Sequence, residues 1–171
     1  MKEEARIARN ATRLRECNPV FAVRVSKIIN RMESLGFRPR IQETYRSQSD
    51  QLAAVRRGSS RVKAGFHNLT NAEGKPDSCA ADVLDDNAPN NPGLRYMLAL
   101  AWCAKQEKCS TGIDWGCTAH VKRLLAKAIN EQRFDFEIDR HLIGWDPCHV
   151  QPADLSLDRA LTGERPKECE S

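Results

Sequence analysis

Four histidines stand in the 171 residues, at positions 67, 120, 141 and 149. His67 lies in a stretch rich in Gly, Ser, Asn and Pro, and His149 follows the turn-forming Trp145-Asp146-Pro147. Loops and strand ends on a rigid scaffold are where reactive groups are commonly carried. His120, at the start of a helical pattern, and His141, beside charged neighbours, read as solvated or capping histidines. Asp82 is a different oddity, a carboxylate between Cys79-Ala80-Ala81 and Val83-Leu84. A carboxylate in an apolar strand must be paired or bound to a metal, so a salt bridge to an arginine is the ordinary alternative.

Asp146-x-x-His149 completes a chemically coherent set. Two histidines and one aspartate leave the fourth position of a zinc ion open, which is the arrangement of a catalytic rather than a structural site. A carboxylate three residues before a ligating histidine can serve as the acid and base of a hydrolysis without ligating the metal itself. Alone, Asp-x-x-His arises often by chance; its weight comes from the other two groups. Arg46, in Thr44-Tyr45-Arg46-Ser47 with Gln51 following, ends a predicted strand. It could stabilise an oxyanion, hold a substrate carboxylate through a bidentate pair, or be an ordinary surface arginine.

The elements that must position these groups follow from capping and periodicity. Residues 3–16 form a charged amphipathic segment with Ile7, Ala8, Ala11 and Leu14 on one side. Asn18-Pro19 reads as an N-cap with proline at the first helical position. The helix it opens spaces Phe21, Val25, Ile28, Ile29, Met32 and Leu35 by three and four and stops at Gly36. Residues 37–44 alternate as a strand, with Pro39 placing it at an edge or entry point. Ser47-x-x-Asp50 opens a short helix over 48–57, and 58–78 is one long loop, a length that usually signals function. A buried strand starts at Cys79. A helix runs from Asn91-Pro92-Gly93 to Lys108, residues 112–116 form a turn or short strand, and 118–131 form another amphipathic helix. Phe134, Phe136 and Ile138 alternate as a strand, a last strand covers 148–151, and the polar tail after Pro152 lies on the surface.

The expected fold is α+β, a small central antiparallel sheet flanked by helices in a single domain. N-terminal helices occupy 1–35, a catalytic core 36–152 and the tail 153–171.

Composition narrows the function classes. The chain is 40% apolar and 29% charged, ordinary for a globular protein, and has no run of about 18 uncharged apolar residues, so membrane insertion is not expected. Net charge is +4, from 27 basic and 23 acidic residues. The densest basic run, Arg56-Arg57 through Arg61 and Lys63, lacks the continuity of a nucleic-acid-binding stripe and reads as a solvated face. A mild positive field suits an anionic polymer such as a cell wall. Seven cysteines, at 17, 79, 103, 109, 117, 148 and 169, are an odd number, and the charged first 17 residues lack the apolar stretch of a signal peptide. Buried thiols, not a disulfide framework, are therefore expected, with synthesis in a cytoplasm. One sharper alternative is a structural zinc site from Cys103, Cys109, Cys117 and His120.

Taken in order, the motifs resemble those of the VanY-like zinc peptidases, a family of D-alanyl-D-alanine carboxypeptidases and dipeptidases and of L-alanyl-D-glutamate endopeptidases found among phage endolysins. The resemblance lies in Tyr45-Arg46-Ser47 with Gln51, in His67 leading to Ala80-Ala81-Asp82-Val83, in Trp115-Gly116, and in Asp146-Pro147-Cys148-His149-Val150-Gln151. It runs from about residue 36 to 152. It implies Zn2+ held by His67, Asp82 and His149, Asp146 as general acid/base, Arg46 at the oxyanion or substrate, and Gln51, Tyr45 and Trp115 in substrate binding. The implied partner is the peptidoglycan stem peptide; a monomer is the default expectation, and the small size, absent signal peptide and mild positive charge suit a phage lysin that reaches the wall after the host membrane is permeabilised. This sequence departs from the family in the longer gap between His67 and Asp82, in Gly65 where a serine is usual, and in the added helix 118–131. Other readings are a D-alanyl-D-alanine carboxypeptidase, a non-catalytic wall-binding module and a small structural-zinc regulatory protein.

Overall fold

The helix starts follow their capping residues in the structure, a computed structural model that describes residues 1–58 and 63–168 of the chain. Arg61 of the basic run and Cys169 lie outside the described residues. Asn18 accepts hydrogen bonds from the amides of Val20 and Phe21 at the head of α2 (Pro19–Ser34), which follows α1 (Glu3–Leu14). Phe21, Val25, Ile28, Ile29 and Met32 are buried as their spacing requires, while Leu35 lies outside the core. Gly36, at φ +84°, ends the helix: its amide bonds Glu33 O and that of Phe37 bonds Met32 O, the paired closure that a left-handed residue permits. Ser47 and Thr118 cap α3 (Gln48–Arg56) and α5 (Ala119–Asn130) in the same way as Asn18. Between them lies α4 (Leu94–Gln106), and α6 (Leu157–Leu161) ends the described order.

Four strands, β1 (Pro39–Glu43), β2 (Ala81–Asp85), β3 (Cys109–Gly112) and β4 (Asp146–Pro152), form an antiparallel sheet in the order β1-β2-β4-β3. The architecture is α+β. Ile41 faces Val83 and Ala81 faces Val150 across the ladder, all fully buried, and they merge with the apolar sides of α2 and α4 into one core. Alternation sends Asp82 and His149, paired directly across β2 and β4, to the opposite face. No helix among the described residues is long and apolar enough to cross a membrane.

The structure corrects three expectations. Helix α1 does not bury Ile7, which is 54% exposed; it buries Arg6 and Asn10. The cause is the edge strand β1, whose outward backbone groups need partners. Arg6 and Asn10 donate to Pro39 O, Asn10 accepts from Ile41 N, and Arg9 donates to Ile41 O and Gln42 O. Phe134, Phe136 and Ile138 form no strand. Gln132 turns the chain at φ +54°, and local turn bonds occupy the amides of Phe134 and Phe136 while the side chains rest on the core. The tail is not merely polar surface: Leu155 and Ala160 are buried, and α6 forms within it. Strand β3 lies just ahead of the turn or short strand expected at 112–116, which it meets only at Gly112.

Candidate metal centre

Asp82 and His149 are brought together by strand register. Cross-strand partners on one face of an antiparallel pair hold their Cβ atoms about 4.5–5.5 Å apart. His149 Nδ1 accordingly lies 3.2 Å from Asp82 Oδ1. The third group arrives from the long loop. A short 3-10 turn, Phe66–Asn68, carries His67 and is clamped from both sides. Arg46 N donates to His67 O, Asn68 donates to Arg46 O, and Cys79 N donates to Phe66 O. His67 Nε2 ends 3.4 Å from Asp82 Oδ1 and 3.3 Å from His149 Nδ1.

These three spacings test whether the residues fit zinc. Tetrahedral bonds of about 2.0–2.1 Å set neighbouring ligand atoms about 3.3 Å apart. The observed 3.2, 3.3 and 3.4 Å match that value. Proton bookkeeping points the same way. Thr44 O, a carbonyl that can only accept, takes the Nδ1 proton of His67 at 2.5 Å. Gln151 Oε1 takes the Nε2 proton of His149 at 3.1 Å. With those nitrogens committed, neutral histidines turn two lone pairs toward a carboxylate oxygen, three acceptors converging without a donor. A cation resolves that conflict. Burial opposes charge on Asp82, yet the imidazoles of His149 and His67, which donate to it only when protonated, hold its carboxyl well below the usual carboxylate range. Without a metal a proton relieves the same conflict: burial of His67 disfavours its cation, but the bond that the protonated ring makes to Asp82 outweighs this and raises its pKa.

Asp146 joins them through an irregularity in β4. Residues three apart in a regular strand point to opposite faces. Here Thr111 pairs with Val150 while the next residue, Gly112, pairs with Asp146, so Pro147, Cys148 and His149 bulge between the two pairings. Asp146 and His149 therefore line one cavity of about 550 Å3 with Arg46, Gln51, His67 and Asp82. Burial first, and the charge of Asp82 second, push the Asp146 carboxyl above its ordinary value. Arg46, mostly buried, bonds Glu43 and donates to Gln51 Oε1 at 2.9 Å.

Trp115 also lines the cavity, its ring 5.1 Å from that of His149. Tyr45 is half-buried between β1 and α3 and is not among the lining residues. Sequence reasoning missed several groups. Thr44 O and Gln151 orient the histidines, Glu43 holds Arg46, and Trp145 and the tail residues Leu155, Ser156 and Leu157 complete the wall. Only Gln151 had a readable signal, standing two residues after His149 and so on the same face of the strand. The cysteine alternative does not assemble: among the described residues, His67, Asp82 and His149 are the group able to hold a metal ion. Cys103 and Cys109 are buried, Cys117 bonds Leu142 O and His120 is exposed. Burial pushes the thiols of Cys17, Cys79, Cys103 and Cys148 up to about 12.

No protein-family model and no curated protein matches the chain. Its fold is similar to that of a solved endopeptidase. The crystal structure of Serratia marcescens L-Ala D-Glu endopeptidase ChiX superposes at a TM-score of 0.46 and 19% sequence identity, covering 85% of this chain and 86% of that one.

Proposed function

We propose that the protein is a zinc-dependent peptidase that cuts the peptidoglycan stem peptide, as an L-alanyl-D-glutamate endopeptidase of the kind carried by phage lysins. One observation carries the metal part: three ligand atoms spaced 3.2–3.4 Å apart, with the outer nitrogens of both histidines already committed as donors. The substrate part rests on the ordered motifs shared with the VanY-like peptidases.

His67, Asp82 and His149 hold the ion. Zinc, when bound, acidifies water and polarises the scissile carbonyl. Asp146 takes a proton from the attacking water and returns it to the leaving amine, for which a carboxyl of raised pKa beside the ligands is suited. Arg46, fixed by Glu43 and Gln51, directs its positive charge at the oxyanion or at a substrate carboxylate. Trp115, Trp145 and the tail residues Leu155, Ser156 and Leu157 line the same cavity.

Digestion of purified sacculi by zinc-loaded protein tests the reading. New amino-terminal glutamate is the expected product. Release of free D-alanine would make the enzyme a carboxypeptidase, and no released product would remove the peptidase assignment.

A further inference from the structure

The Thr44 carbonyl orients His67, and the groups that hold this carbonyl lie outside the cavity. Strand β1 ends at Glu43, the last residue paired with β2, so Thr44 O stands beyond the ladder that would fix it. Side chains take its two lone pairs instead: His67 Nδ1 at 2.5 Å and Ser78 Oγ at 2.9 Å. Ser78, fully buried at the end of the long loop, is not among the cavity-lining residues. Its hydroxyl also lies 3.2 Å from Phe66 O and 3.1 Å from Ala80 O, and it accepts from Ala80 N at 3.1 Å. One hydroxyl thus touches the carbonyl that orients His67, the residue before His67 and the turn that leads into Asp82.

Ser78 is itself seated by the link between α1 and α2. Ser78 N donates to Glu16 O at 3.0 Å, and Asn18 N donates to Ser78 O at 2.8 Å. The same link reaches the side chain of Thr44, whose Oγ1 lies 2.5 Å from Glu16 Oε2 and 3.0 Å from Arg13 O. Arg13 in turn donates to both oxygens of the Glu16 carboxylate at 3.1 Å. We infer that Ser78 and Glu16 are positioning residues of the metal centre, gripping Thr44 at its carbonyl and at its hydroxyl so that His67 is aimed before an ion arrives. This rests on the metal reading above and extends it from the ligands to the N-terminal segment that frames them. The physical reason is tolerance. Ligand distances to zinc hold to within about 0.2 Å. Asp82 and His149 meet that demand by pairing across the sheet, whereas His67 comes from a loop. A Thr44 carbonyl held by His67 alone would let the imidazole swing with it.

Zinc affinity by chelator competition, measured beside the melting temperature of the zinc-free protein, tests the assignment. Ser78→Ala should lose about tenfold in zinc affinity, the low end of the range for partners outside the ligands. Ser78→Thr, which keeps the hydroxyl, should bind as wild type does. The alanine variant also strands the Ala80 amide, so its melting temperature falls in either case, and affinities are compared well below the melting of each protein. Glu16, with a side chain 28% exposed, supplies a second variant that opens no buried site and decides the matter if alanine at 78 prevents folding: Glu16→Ala should lose affinity in the same direction. Wild-type affinity in both alanine variants, whatever their melting temperatures, would make the two residues structural only and overturn the inference. No zinc on any of the proteins, wild type included, would remove the metal reading and the inference with it. Zinc bound with the expected losses, but no product from sacculi, would keep the positioning role and discard the peptidase.

Discussion

Gln151 accepts the Nε2 proton of His149 at 3.1 Å, and this one bond decides which nitrogen His149 turns toward Asp82. Outer partners of this kind commonly contribute about 10–100-fold to metal affinity. Gln151→Leu should weaken zinc binding within that range, and Gln151→Glu should retain it. Competition against a chelator of known affinity reads the difference directly.

Removal of a ligand should be more severe. Wild type should hold about one zinc per chain, as a single three-ligand site requires. His67→Ala and His149→Ala should each hold none after dialysis. Elemental analysis of the three proteins checks this, and full zinc retention in either variant would place the metal elsewhere.

Asp146 should separate binding from turnover. Asp146→Ala should keep its zinc yet lose about 10²–10⁴-fold in kcat, the range of a general acid/base. Metal content and stem-peptide hydrolysis measured on the same preparation show both effects. Hydrolysis at the wild-type rate would show that another group moves the proton.

Gly144→Ala should cost stability without touching a ligand. Its Cβ has no room beside Gly112 O, so the backbone must separate. Overpacking of this sort costs about 1–3 kcal/mol, or about 2–4 °C in Tm per kcal/mol for a chain of this size. Calorimetric melting of the variant against wild type gives the value, and an unchanged Tm would mean the contact between Gly144 and Gly112 is pliable.

The tail should release in acid. Arg24, almost fully buried, pairs with both oxygens of Asp154 at 2.8 Å and donates to Lys167 O. The bond from Arg24 lowers the Asp154 pKa. A folded-state pKa below the unfolded value gives stability that is present above about pH 4 and is lost as pH falls through the folded value. Asp154→Asn should therefore be less stable than wild type at neutral pH, and the gap should close in acid. Denaturant midpoints across pH 2–7 follow it; a gap constant over that range would contradict the linkage.

What the sequence revealed follows its chemical oddities. A carboxylate inside an apolar strand and a histidine after a Trp-Asp-Pro turn are conspicuous, and the fold brings both to His67. The periodicity of Phe21 to Met32 was equally plain, because apolar burial alone decides it. Helix α1 misleads because another demand wins there: satisfying the outward groups of β1 outweighs burying Ile7. Phe134 to Ile138 alternates without a strand because local turns occupy the amides that a ladder would use. Four residues, Cys109 to Gly112, are too few to show a period. The partnership of His67 Nδ1 with Thr44 O joins a side chain to a backbone carbonyl 23 positions away, so the residue type at 44 carries no signal of it.

The polar face of α1 also bears on how the protein behaves as its concentration rises. Arg6, Arg9 and Asn10 occupy the row of backbone groups along β1 that would otherwise template a neighbour's strand. The first helix thus acts as a stopper on the sheet. A chain trimmed of residues 1–15 would lose little apolar burial but gain an adhesive border, and self-association would be its characteristic failure.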